Sequence, residues 1–202
     1  MPPTELLLAS QNRGKLAEMR ALLDGLPFQV LLPSDVGIEQ APEETGATFI
    51  DNAILKARHY SRLSGRMAVA DDSGLSVEAL DGGPGLYSSR FAGEGASDAE
   101  RNRLLLAKLA GCPPERRGAR FTSAVAVAQA DVVTFQTVDT VEGRIAQAPL
   151  GGNGFGYDPV FFYPPFGRTF GEVSPAEKAR VSHRGKAFAN LRRFLASLAT
   201  AG

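Results

Sequence analysis

Residues 5–23 read ELLLASQNRGKLAEMRALL, and a change of rhythm inside this stretch decides the fold class. Residues 5–9 form a short apolar run, the pattern of a buried strand. A polar turn, SQNRGK, follows at once. From 15 to 23, Leu16, Met19, Leu22 and Leu23 then recur at the spacing that lines one face of a helix. Strand, polar turn and helix in succession open an α/β chain. The turn presents backbone N–H groups at the positive end of a helix, and Lys15 adds a formal charge beside them. Ser10, Gln11, Asn12, Arg13, Gly14 and Lys15 are therefore candidates for gripping phosphate. The stretch lacks the first glycine and the trailing Ser/Thr of a Walker A loop, so it also reads as a plain strand–helix turn.

Working outward, residues 28–32 read as a second strand stopped by Pro33. Residues 34–46 are a polar loop carrying Glu43 and Glu44. Thr48 and Asp51 form a capping box, and Phe49, Ala53, Ala57, Tyr60 and Leu63 follow at helical spacing. Residues 67–70 read as a buried strand that delivers Asp71 and Asp72 at its carboxyl end, with 74–95 glycine-rich and irregular. Ser97 and Glu100 open a helix running through Leu109. Residues 121–130 and 132–145 are rich in Val, Thr and Phe and predict two strands turning at Ala130-Asp131. A short strand at 160–163 precedes Ser174-Pro175-Ala176-Glu177, a serine-capped helix start. The last helix is expected to bury Phe188, Leu191, Phe194, Leu195 and Leu198. No repeat or linker divides the 202 residues, so residues 1–202 are expected to form one domain, whose long central strands suggest a second sheet lobe.

Twenty-two basic residues balance 22 acidic ones, and this zero net charge argues against a protein built to coat nucleic acid or an anionic membrane. The lone Cys112 cannot form an internal disulfide. No apolar run reaches bilayer length, and MPPTELLLAS has no basic leader segment, so a cytoplasmic location is expected.

Three further stretches carry chemistry. In ADDSG, at 70–74, two adjacent acids after a hydrophobic run are costly unless solvated or metal-bound. Magnesium, which takes carboxylates, waters and ligand phosphates, suits them; a solvated Asp-Ser-Gly turn suits them equally. Lys56, a few residues upstream on the long helix, is a phosphate candidate. In GGNGFGYD, at 151–158, dense glycine lets backbone approach a ligand, and Phe155 and Tyr157 offer flat faces for a base. Asp158 supplies an acceptor for a ring N–H or sugar hydroxyl there. The alternative is a flexible hairpin with its aromatics folded inward. Lys178 with Ser182-His183-Arg184-Gly185-Lys186 gathers cationic donors suited to phosphate or a base carbonyl, or forms a surface basic patch. No Ser-His-Asp set and no CxxC or HExxH pattern is present, which leaves water activated by metal or carboxylate as the simplest hydrolytic mechanism.

In this order, SQNRGKLAE, TFIDNAILKA, ADDSGLSVEALDGGPGLYSSRFAG, GGNGFGYDPVFF and EKARVSHRGKA resemble the inosine/xanthosine triphosphate pyrophosphatase family, over residues 8–190. Gln11 and Asp51 depart from the family's usual residues without removing a needed charge. The resemblance implies an elongated α/β fold, a mixed sheet with flanking helices and two lobes around a central nucleotide-binding cleft, usually dimeric. It implies phosphate contacts from Ser10 to Lys15, and Mg2+ at Glu43 and Asp72. Asp72 would also be the proton acceptor. Ser73, Phe155, Gly156, Tyr157, Asp158, Lys178, His183 and Arg184 would bind substrate, with Phe155 under the base and donors such as Arg184 facing its 6-position. The implied activity is hydrolysis of deaminated purine triphosphates to monophosphate and pyrophosphate. A pyrophosphatase for other modified nucleotides and a nucleotide-sensing module without turnover are the alternatives.

Overall fold

The computed structural model describes residues 4–200; the first three residues of the N-terminal segment considered above lie outside it. Seven strands hydrogen-bond in the order β2-β1-β3-β4-β5-β6-β7. They are β1 (Thr4–Leu8), β2 (Phe28–Leu31), β3 (Met67–Val77), β4 (Gly118–Gln129), β5 (Val132–Ile145), β6 (Phe161–Tyr163) and β7 (Arg168–Thr169). The helices are α1 (Arg13–Leu23), α2 (Phe49–Ser64), α3 (Asp98–Lys108), α4 (Pro175–Val181) and α5 (His183–Thr200). β1 pairs in parallel with β2 and β3, whereas β6 pairs antiparallel with β5 and β7, so the sheet is mixed as expected.

The chain divides into two compact units. The first comprises residues up to Asp72, Ser123–Asp139 and the chain from Arg184 onward; the second comprises Ser73–Thr122 and Thr140–His183. In the first unit the period-two alternation of strands sorts side chains onto two faces. Leu6, Leu8, Met67 and Val69 pack with Met19 of α1 and Phe188, Leu191 and Leu195 of α5. Leu7, Ala9, Ala68 and Ala70 pack with Ala53, Ala57 and Tyr60 of α2. The second unit has its own core, in which Leu75, Leu105, Phe121, Val141, Phe161 and Phe170 meet.

Local chemistry fixed most helix starts where the capping residues predict them. Thr48, Ser97 and Ser174 each accept from the backbone N–H three residues on, and Asp51, Glu100 and Glu177 reach back. Two expectations need correction. β3 does not stop before its acids but runs on through Asp71, Asp72 and Ser73 to Val77, so the first part of the glycine-rich stretch is strand. Buried cations neutralise both carboxylates, which removes the reason for the strand to end there. Leu198 is 39% exposed instead of buried, because the last turn of α5 extends past the apolar cluster.

β4 and β5, neighbours in the sheet, are joined at Ala130-Asp131, both with positive φ (46° and 71°). A two-residue link with two left-handed residues is a hairpin turn that favours Asn-Gly. Ala130→Asn combined with Asp131→Gly is expected to stabilise the protein by about 1 kcal/mol, because left-handed backbone costs other residues about that much. Urea unfolding checks this; an unchanged or lower midpoint would contradict the strain argument.

Candidate active site

Because β3 continues through Asp71-Asp72, its alternation sends the two carboxylates to opposite faces. Asp71 follows Met67 and Val69 towards α1 and α5; Asp72 follows Ala68 and Ala70 towards α2.

On the α1/α5 face, Asp71 is fully buried. Its Oδ2 lies 3.1 Å from Lys15 Nζ and 3.2 Å from Arg184 Nη2, and its Oδ1 accepts from the Ser123 hydroxyl. Arg184, only 2% exposed, also pairs through Nη1 with Glu18 at 2.6 Å. Burial alone would raise the Asp71 carboxyl; Arg184, Lys15 and the Ser123 hydroxyl outweigh it and hold it far below the carboxylate range. Burial likewise pushes the Lys15 ammonium below its ordinary value, and Asp71 opposes that. For Arg184 the balance reverses: burial would lower it, but Asp71 and Glu18 hold the guanidinium firmly charged. Lys15 stands in the first turn of α1, whose N-cap is Asn12; the Asn12 side chain accepts from the Lys15 N–H at 3.0 Å. Ser10 accepts from Asn12 N–H, and Gln11 donates to the Glu39 carbonyl at 2.7 Å, so the turn is braced at both ends. Arg13 is exposed and Gly14 half-buried in the same turn.

On the α2 face, Lys56 Nζ is 2.9 Å from Asp72 Oδ1 and 2.8 Å from Glu44 Oε1, and Asn52 Nδ2 donates to Asp72 Oδ2 at 3.3 Å. Asn52 and Lys56 are one helical turn apart and share a face of α2. Burial works against the Lys56 ammonium, but Asp72 and Glu44 outweigh it and raise its pKa. Glu43 lies exposed in the loop; the carboxylate that reaches Lys56 is that of its neighbour Glu44.

In the second unit, residues 154–158 wrap around the Asp158 carboxylate. Asp158 Oδ2 accepts from the Phe155 N–H at 2.8 Å and from Lys178 Nζ at 2.6 Å. Lys178 is buried, with its ammonium 5.1 Å from the Phe155 ring centre and 5.9 Å from that of Phe170. Phe155 is half-buried and Tyr157 buried, its hydroxyl donating to the Ser88 carbonyl. His183, 3% exposed, stacks on Phe121 at 4.7 Å. Gly154 is required here: its φ is +74°, and a Cβ would come within 2.0 Å of Asp158 Oδ2.

The structure thus joins Lys15, Arg184 and Asp71 in one cluster, Lys56 and Asp72 in another, and Phe155, Asp158 and Lys178 in a third. Ser73, half-buried, follows Asp72 on β3. Sequence reasoning missed Glu18, Glu44, Asn52 and Ser123 as partners. Glu18 and Asn52 had a signal: each sits about one helical turn from a lysine singled out above. Ser123 had none, because the polar position of a strand carries no mark of what it faces.

The sequence profile of the Ham1 family matches residues 6–194. A curated relative from Xanthomonas oryzae, named dITP/XTP pyrophosphatase, is 46% identical over 195 residues, covering 96% of this chain and 98% of its own. Another of that name, from Haemophilus influenzae, is 47% identical over 190 residues, covering 93% and 97%. The solved structure of a HAM1 protein from Coxiella burnetii aligns with a TM-score of 0.87 at 42% identity, covering 96% of this chain and 99% of its own. That of the Staphylococcus aureus Ham1 protein aligns at 0.85 and 38%, covering 96% and 99%.

Removing the charge of Asp71 takes one carboxylate partner from buried Arg184, which pairs with both Asp71 and Glu18. Asp71→Asn is expected to destabilise the protein by about 3 kcal/mol, as breaking a buried pair does. Ser123→Ala, which deletes one hydrogen bond, should cost about 1 kcal/mol. Equal effects of the two variants in urea unfolding would refute the ranking.

Proposed function

The chain belongs to the Ham1 family, and from that premise we propose that it hydrolyses deaminated purine nucleoside triphosphates (ITP, dITP and XTP) to the monophosphate and pyrophosphate. The observation that carries the reading is the Asp72 carboxylate, 7% exposed and fixed at its two oxygens by Lys56 and Asn52, one residue along the chain from Asp71 of the Lys15–Asp71–Arg184 cluster. A carboxylate oriented this firmly is suited to take a proton, and adjacent lysines are suited to a polyanion.

The donor set also suits a divalent ion. Among the described residues no three His, Cys, Asp or Glu side chains gather into a closed metal cage. Mg2+ needs no such cage, since one or two carboxylates suffice when waters and phosphates complete its octahedron. Asp72 and the exposed Glu43 are the residues that would hold it by the family likeness; Glu44, which shares the Lys56 ammonium with Asp72, is the acid that stands beside that group. A bound ion of this kind supplies charge neutralisation for the triphosphate and for the departing pyrophosphate.

The roles of the protein groups follow. Lys15 and the turn Ser10–Gly14 would bind phosphate oxygens at the N-terminus of α1. Lys56 would hold Asp72 in orientation and add positive charge. Asp72 would accept the proton of the water that attacks the α-phosphorus, breaking the α–β anhydride bond. Ser73, Phe155, Gly156, Tyr157, Asp158, Lys178, His183 and Arg184 are the proposed substrate contacts, with Phe155 the face on which the base stacks. Arg184, held in place by Asp71 and Glu18, is the donor proposed to face the base carbonyl. A purine carrying a 6-carbonyl leaves such donors satisfied, whereas adenine would leave them unpaired. By the same likeness the working form is proposed to be a cytoplasmic homodimer.

Incubation with Mg2+ and a panel of triphosphates is expected to release pyrophosphate and monophosphate from ITP, dITP and XTP far faster than from ATP. Orthophosphate and diphosphate as products, or equal turnover of ATP, would sink the assignment. Asp72→Asn is expected to lower kcat by about 10²–10⁴-fold, the contribution of a positioned general base, while nucleotide binding persists. Near-normal turnover in that variant would remove Asp72 from the chemistry.

A further inference from the structure

Gly156 lies between the half-buried ring of Phe155 and the buried ring of Tyr157, and both polar groups of its backbone are held by one helix. The Asp98 carboxylate accepts from the Gly156 N–H at 2.7 Å, and the Asn102 side-chain amide donates to the Gly156 carbonyl at 3.0 Å. Asp98 and Asn102 stand four residues apart on α3, so one face of one rigid element supplies both contacts. That element is itself anchored: Ser97 and Glu100 cap its start, and Arg101 pairs with Asp98 while donating to the Ser89 and Ala96 carbonyls. On either side of Gly156, the Phe155 N–H is bound by Asp158 and the Tyr157 hydroxyl by Ser88. The backbone carrying Phe155 is thus fixed on both sides.

Stability alone does not account for this arrangement. A backbone N–H and carbonyl in a half-buried loop can be satisfied by water. Asn102 is instead 4% exposed, and among the described residues its Oδ1 has no hydrogen-bond partner, which works against folding. Asp98 gives one carboxylate oxygen to Arg101 and reserves the other for the Gly156 N–H. Both side chains make sense if the position of Gly156 itself matters.

We infer that Asp98 and Asn102 are positioning residues for base recognition: they clamp Gly156 so that the Phe155 ring is presented as a preformed face to a purine. Preorganisation of this kind removes the ordering cost that a mobile loop would incur on binding. The inference rests on the pyrophosphatase reading in that Phe155 is taken as the base platform.

The test measures, by calorimetry on the full chain with Mg2+, the affinities for the α,β-imido analogue of ITP and for inorganic tripolyphosphate, which has no base. Asp98→Ala and Asn102→Asp are each expected to weaken the analogue about tenfold, a share of the stacking contribution of a base. Tripolyphosphate affinity should stay within about twofold, as expected for a site the substitution does not touch. The KM for ITP should rise about tenfold with kcat nearly unchanged, the signature of lost uniform binding. Asp98→Asn keeps an acceptor oxygen for Gly156 and should behave as wild type towards both ligands. Equal losses on the two ligands, or none on either, would overturn the inference in favour of a purely structural clamp. If Asp98→Ala does not fold, the isosteric Asn102→Asp, whose ionised carboxylate cannot donate to Gly156, decides the question at a pH where that carboxylate is charged. A wild type that binds the analogue but does not hydrolyse ITP defeats the pyrophosphatase reading alone, and the affinity ratio still judges the clamp. A wild type that binds no purine triphosphate defeats both.

Discussion

The alternation of a single strand governs the first unit. β3 carries two adjacent carboxylates at 1% and 7% exposure, a placement that would be prohibitive if both faced the same way. Because successive side chains point to opposite faces, Asp71 meets Lys15 and Arg184 while Asp72 meets Lys56. Each acid thereby acquires its own counter-ion from a different helix. The like charges share a backbone segment but are met by different cations.

That division assigns different work to neighbouring residues. Asp71, fully enclosed, is a structural anchor that ties α1, β4 and α5 together through Lys15, Ser123 and Arg184. Asp72 is also buried, but its partners sit on one face of α2 and in the loop before it, where Glu44 joins the same lysine. Lys15 and Arg184 balance Asp71 and Glu18 on the first face, whereas on the second one lysine, Lys56, meets two carboxylates. In the second unit the same economy recurs on a smaller scale, with Asp158 neutralising Lys178 and at the same time fixing the backbone beside Phe155.

Much of this was legible in the chain. The capping boxes at Thr48, Ser97 and Ser174 specify helix starts because their chemistry is complete within four residues. The apolar rhythms of residues 16–23 and 49–60 specify which helix faces are buried. The glycines at 151–158 are read as room for a ligand; at Gly154 the structure shows instead a positive φ and a backbone pressed against Asp158. The end of β3 is not legible in the chain, because turn-forming residues such as Asp-Ser-Gly signal a break only while their charges are unpaired. The exposure of Leu198 is not legible either, because periodicity states that a helix has an apolar face, not how far its neighbour extends.

The sequence by itself determined the α/β class, the mixed order of strands and helices, and the residue types needed to handle a phosphorylated ligand. These depend on periodicity, capping and charge, all of which act over a few residues. Only the tertiary structure decided which acid meets which base: that Glu44 and not Glu43 reaches Lys56, that Arg184 is clamped by Glu18 and Asp71, and that Asp98 and Asn102 hold Gly156. Such pairings join groups as many as 166 positions apart. A charge or amide on a linear chain is compatible with many partners, and packing of the elements alone selects one.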